Sequence, residues 1–247
     1  MEAVLKQIEQ NTSQQVSAFV IVSGTGSEIR TVFAEPVVLD PQYEYCIALS
    51  GLQTYNVSPN IVRGKNSSIT IFDKSSQEWV DLQLETGSYS LQDINDTLQT
   101  LLKEPGAILL VPDTSTLKCW IEIEKGYKVH FKSGDLSTIL GFKPGILESG
   151  RYSGQFIVNI LSVSAINVSV DCVTGSYLDG IRRNILYTFF PNTMIGHKIV
   201  EAPSNLLFLP LTVKRLDSLT VTLTDQTFSK IDLRGETLCC QFIIKRS

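Results

Sequence analysis

Apolar and polar residues alternate along short, turn-bounded runs, and this restricts the fold more than any other feature of the chain. In YEYCIALS, residues Tyr43, Tyr45, Ile47 and Leu49 share one parity while Glu44, Cys46, Ala48 and Ser50 share the other. A period of two suits a strand with one face on a core. Similar strands are predicted at Phe156–Ile160, Ala165–Val170, Ile185–Phe190, Lys198–Glu201, Leu206–Val213 and Leu219–Thr224, separated by GSYLDG, PNT, IGH and APSN. Many short strands with such punctuation imply a sandwich or barrel. Ser23-Gly24-Thr25-Gly26-Ser27 lacks the Gly-Lys-Ser/Thr end of a phosphate loop and reads as a hairpin turn between Ala18–Val22 and Ile29–Phe33. The chain closes on Leu219–Thr224 and Leu238–Lys245, expected to pair as an antiparallel hairpin. Leu219, Val221 and Leu223 should face the same core as Leu238, Cys240, Phe242 and Ile244.

Residues 69–145 break this pattern. Strands are predicted at Ile69–Phe72 and Val80–Glu85, then a helix, then strands at Ile108–Val111, Leu117–Glu124 and Tyr127–Phe131. The helix has Ser90 as its cap, with Asp93 three residues on. Leu91, Ile94, Leu98, Leu101 and Leu102 form its apolar stripe, and Pro105-Gly106 stops it. A shorter helix is expected at Asp135–Leu140. The organisation read from the sequence is therefore mainly β. Residues 16–68 and 146–247 form one β domain, 69–145 a small α+β insertion, and 1–15 a polar, Gln-rich free arm.

With 43% hydrophobic and 19% charged residues the chain can bury a core. Its net charge of -4, with Lys and Arg in pairs at most, lacks the clustered positive charge of a nucleic-acid surface. Neither a signal peptide nor an uncharged apolar run of about 18 residues is evident, so the expectation is synthesis in a reducing compartment without a membrane span. The five cysteines do not fit a disulfide framework. Cys239 and Cys240 would point to opposite faces of a strand, the wrong geometry for joint ligation, and Cys240 is expected as a small buried hydrophobe. His130 and His197 are the only histidines, and no zinc spacing or GxSxG elbow accompanies them. Neither a cofactor nor a metal nor a catalytic residue is expected. A structural or binding protein is the reading these residues support.

Three segments together resemble a known group: LDPQYEYCIALSGLQTYNVSPNI (Leu39–Ile61), ILYTFFPNTMIGHKIVEAPSN (Ile185–Asn205) and LTDQTFSKIDLRGETLCCQFIIK (Leu223–Lys245). They are similar to the minor capsid, or penton, proteins of Polinton/Maverick elements and adintoviruses, with virophage pentons as more distant relatives. ETGSYSLQDINDTLQTLL (Glu85–Leu102) followed by LSTILGF (Leu136–Phe142) fits the same pattern. The resemblance implies a vertical single jelly roll, assembled as a homopentamer at the fivefold vertices of an icosahedral capsid. Trimers of a double jelly-roll major capsid protein would be its neighbours, and the virion its location. For the rim of such a pentamer the chain offers Asp179 beside Arg182 and Arg183, and Asp232, Arg234 and Glu236, which would share one face in a strand. That parity turns apolar from Leu238, so either a bulge near Gly235 flips the face or the regular strand starts after it. The alternatives are a non-viral β-sandwich module binding carbohydrate or a protein ligand, which would want an exposed aromatic platform, and a hydrolase with an unrecognised Ser or Cys nucleophile.

Overall fold

A computed structural model describes residues 16–161 and 163–247; the arm expected at 1–15 lies outside them. The chain opens with β1 (Val16–Thr25), β2 (Glu28–Val38) and β3 (Tyr45–Tyr55). Then follow β4 (Ser68–Asp73), β5 (Glu78–Gln83), α1 (Leu91–Leu101), β6 (Ile108–Asp113), β7 (Lys118–Ile123), β8 (Lys128–Phe131), α2 (Ser137–Leu140), β9 (Gly145–Leu147) and β10 (Gly150–Ser153). The closing series is β11 (Ile166–Val170), β12 (Ser176–Leu178), β13 (Ile181–Arg183), β14 (Ile185–Phe189), β15 (Lys198–Glu201), β16 (Leu209–Pro210), β17 (Arg215–Thr224) and β18 (Thr237–Arg246).

Two compact units result: the residues to Ser58 with Val163–Ser247, and Pro59–Ser162 between them. In the first unit one sheet runs β1-β18-β3-β15, with β16 also on β3, and the other runs β14-β11-β17-β2. All pairings are antiparallel. Successive strands β1, β2, β3, β11, β14, β15, β17 and β18 enter the two sheets in the order that two nested Greek keys require. This is a single jelly roll. Its core is one cluster fed from both sheets, with Ile47, Leu52, Val168, Val221, Leu223, Leu238, Phe242 and Ile244 almost wholly buried.

Strand parity was legible in the sequence; sheet membership was not. Leu219, Val221 and Leu223 do share a core with Leu238, Cys240, Phe242 and Ile244. They reach it from facing sheets, however: β17 pairs with β11 and β2, whereas β18 lies between β1 and β3. The expected closing hairpin is therefore an arch, and Ile231 and Leu233 in its loop are buried against the core. The Ser23–Ser27 turn is likewise an arch. β1 belongs to one sheet and β2 to the other, with Gly26 at φ 85 making the bend. A hairpin and an arch bury the same alternate residues, so periodicity cannot separate them.

Two further expectations fail for local reasons. Within Leu206–Val213 only Leu209–Pro210 forms a strand, on β3; Leu211 makes an isolated bridge to Val173, and the Thr212 N–H donates to the Cys172 carbonyl, so the chain leaves β3 for a second partner. Phe156–Ile160 is not a strand: its N–H groups donate in turn to Gly141, Leu117 and Ile139 carbonyls rather than to one neighbour. In β3 the second parity is covered too at Cys46 and Ala48, both buried.

The Pro59–Ser162 unit has two antiparallel sheets, β5-β4-β8-β9 and β10-β7-β6, and its own core. Helix α1 has the capping box that its sequence announces: Ser90 Oγ accepts from Asp93 N–H at 3.1 Å, and Asp93 Oδ2 accepts from Ser90 N–H at 2.9 Å. Leu91, Ile94 and Leu98 are buried; Leu101, the last residue of the helix, is largely exposed. The unit extends beyond the 69–145 read from periodicity because Asn60 and Ile160 are tied together. Buried Asn60 donates through Nδ2 to the carbonyls of Tyr89 at 2.7 Å and Ile160 at 3.0 Å, and its Oδ1 accepts from Tyr89 N–H at 2.9 Å.

Candidate assembly surface

Sheet order gives the jelly roll two lateral margins. β1 and β2 end their sheets on one side, joined by the Gly26 bend; β14 and β15 end them on the other. At the second margin Tyr187 of β14 spans the sheets, its hydroxyl donating to Glu201 of β15 at 2.8 Å. Burial first, and then this bond, push the phenol up to about 12.

Between β11 and β14 the chain makes the hairpin β12–β13, whose two-residue loop Asp179-Gly180 has φ 51 and 76. Positive φ at both positions is the turn that Asp-Gly favours. A cleft of about 520 Å³ lies between this hairpin and β14, lined among others by Asn167, Tyr177, Asp179, Ile185, Tyr187 and Leu207.

The six charged residues proposed from the sequence fall into two places. Asp179 lines the cleft. Arg182 turns back within the hairpin, its guanidinium donating to the Thr174 hydroxyl, and Arg183 lies over the Phe228 ring at 4.3 Å. Asp232, Arg234 and Glu236 are exposed but do not share a strand face. Asp232 Oδ1 accepts from Arg234 N–H at 2.8 Å, and Arg234 and Gly235 both have positive φ, so the segment is a turn and β18 starts after it at Thr237. The sequence reading missed the exposed apolar side chains of the margins. Phe19 (56% exposed) and Ile21 (52%) stand outward on β1, and Val200 (61%) on β15. In β1 the signal was present: a period of two in which Phe19 and Ile21 make the second parity apolar as well.

Several groups that could do chemistry have structural surroundings. Burial pushes the Cys119, Cys172 and Cys240 thiols up to about 12 and raises that of Cys46, which keeps them protonated and unreactive at neutral pH. Cys240 is fully buried and Cys239 half-buried, on opposite faces as expected. Among the described residues no cluster of His, Cys, Asp or Glu could hold a metal ion, and no helix is long and apolar enough to cross a membrane. The buried Asp73 carboxylate is held well below the usual range, first by the Lys103 ammonium at 2.6 Å and then by Ser75. Of the tryptophans, Trp79 (43% exposed) meets Phe72 and His130 edge-on, and Trp120 lies beneath the Arg151 guanidinium.

This arrangement has a counterpart of known structure. The fold is that of the mavirus penton protein, with a TM-score of 0.50 over 93% of this chain and 100% of that one, at 11% identity. At that identity the likeness is one of fold. No protein-family model matches the chain, and no curated protein matches it either.

Proposed function

We propose that this chain is the penton subunit of an icosahedral capsid: a homopentamer set at the fivefold vertices, among trimers of a double jelly-roll major capsid protein. The observation that carries the reading is a single jelly roll, interrupted between its third and fourth strands by an α+β unit, whose likeness to a penton protein is co-extensive with that protein. The segments Leu39–Ile61, Ile185–Asn205 and Leu223–Lys245, similar to Polinton/Maverick and adintovirus pentons, support the same assignment and suggest its lineage. Exposed Asp179, Asp232, Arg234 and Glu236 fit the polar rim of a subunit contact.

Particles formed on co-expression with the accompanying major capsid protein test the assignment by electron cryomicroscopy. Five copies of this jelly roll should fill each fivefold vertex. Vertices filled by another protein, with this chain absent from the shell, would overturn it.

A further inference from the structure

The two outermost strands at opposite margins, β1 (VSAFVIVSGT) and β14 (ILYTF), contain no charged residue and no proline. Edge strands of proteins that stay single normally carry Lys, Pro, bulges or inward charges, because an open ladder recruits other strands. β2 is guarded in this way. Its register against β17 shifts between Leu216 and Ser218, and Pro36 lies in the stretch passed over. β1 and β14 carry neither charge nor proline and have only a register shift each, between Val16 and Ala18 in β1 and at Leu186 in β14, and both margins expose apolar side chains. Phe19 and Ile21 are neighbours on the outer sheet face, and half-buried Ile243 lies opposite Phe19, so three apolar side chains adjoin there; Gln241 lies opposite Ile21. The opposite margin exposes Val200, and Tyr177 and Leu207 at the mouth of the cleft beside β14. Contiguous exposed apolar surface of this kind marks an interaction site.

We infer that these margins are the two halves of one contact between copies of this chain: the β1 margin of each subunit packs on the β14–β15 margin of the next. A closed ring requires two different patches on each subunit, whereas a twofold dimer requires one patch used twice. The patches are distinct in shape. One is an outward-facing row of side chains on a strand, the other a recess of about 520 Å³ bordered by Tyr177 and Leu207. Charged residues lie outside both strands, where they set register and exclude water rather than supply the main attraction. The inference rests on the penton reading and adds which surfaces close the ring.

Cutting the ring one margin at a time tests it. Phe19→Asp with Ile21→Asp disables the first margin; Val200→Asp with Leu207→Asp disables the second. Each pair lies on exposed positions, and unchanged circular dichroism and melting midpoint show that the fold is kept. If the Asp variants do not fold, Phe19→Ser with Ile21→Thr and Val200→Thr with Leu207→Ser replace them. Native mass spectrometry should show the wild type as five copies and each variant alone as a monomer. An equimolar mixture should give a dimer with one copy of each, since one intact margin remains on each partner. A variant that still forms five copies overturns this inference and leaves the penton reading standing. A homodimer of the second variant, joined through two β1 margins, overturns the head-to-tail contact. A wild type with no five-copy species overturns the penton reading and this inference with it.

Discussion

Phe242→Ala is the substitution that examines the sandwich most closely. Phe242 has no exposed surface and lies mid-way along β18, opposite Val20 of β1 and Leu49 of β3. It therefore sits where both ladders of the interior strand and the inner face of the opposing sheet meet. Truncating a fully buried phenylalanine removes its transfer free energy and leaves a cavity, together about 3–5 kcal/mol. A domain is stable by only about 5–15 kcal/mol, so the loss is a large share of the total. With a urea slope of about 2 kcal/mol per molar, a 4 kcal/mol loss lowers the midpoint by about 2 M. The assay is urea unfolding followed by far-ultraviolet circular dichroism. Both tryptophans, Trp79 and Trp120, lie in the Pro59–Ser162 unit, so fluorescence reads that unit separately, and its midpoint is expected to stay where it was. A circular dichroism midpoint within about 0.5 M of wild type, about 1 kcal/mol at that slope, would refute the placement of Phe242 at the centre of a shared core. An equal fall in the fluorescence midpoint would refute separate unfolding of the two units.

Asn60→Ala should cost about 2–3 kcal/mol, because the Tyr89 N–H and the Tyr89 and Ile160 carbonyls lose a buried partner; tryptophan fluorescence during urea unfolding measures it. Cys240→Ser buries a hydroxyl at a fully enclosed position and should cost about 1–3 kcal/mol, while half-buried Cys239→Ser should cost under about 0.5 kcal/mol. The reverse order in their melts would place the two side chains on the wrong faces. Asp73→Asn is expected to destabilise the Pro59–Ser162 unit at pH 7. The folded carboxyl titrates below its unfolded value, so the stability it adds is complete above about pH 4 and fades as pH falls further. The gap between variant and wild type should therefore narrow in acid; a gap that widens there contradicts the Lys103 pairing.

Local interactions were readable because a single stretch of sequence encodes them. Ser90, Asp93 and the Leu91-Ile94-Leu98 stripe specify their helix without help from the rest of the chain. The inward parities of β17 and β18 were readable for the same reason. What a strand pairs with depends on residues far away, and alternation carries no label for it; hence two arches were expected as hairpins. Asn60 shows the second limit. A polar residue in the core looks like a loop residue until its three partners, distant in sequence, are known. The assembly surface was hidden by a third. Charged residues attract notice, yet Arg182 and Arg183 turned out to be engaged with Thr174 and Phe228. The uncharged strands β1 and β14 become meaningful only once the sheet order shows them to be edges.

The mass of the purified full-length chain in solution tests the central claim most directly. Sedimentation velocity or native mass spectrometry of the wild type should give a closed species of five copies. A stable dimer or trimer, with no larger closed form as concentration rises, would contradict it.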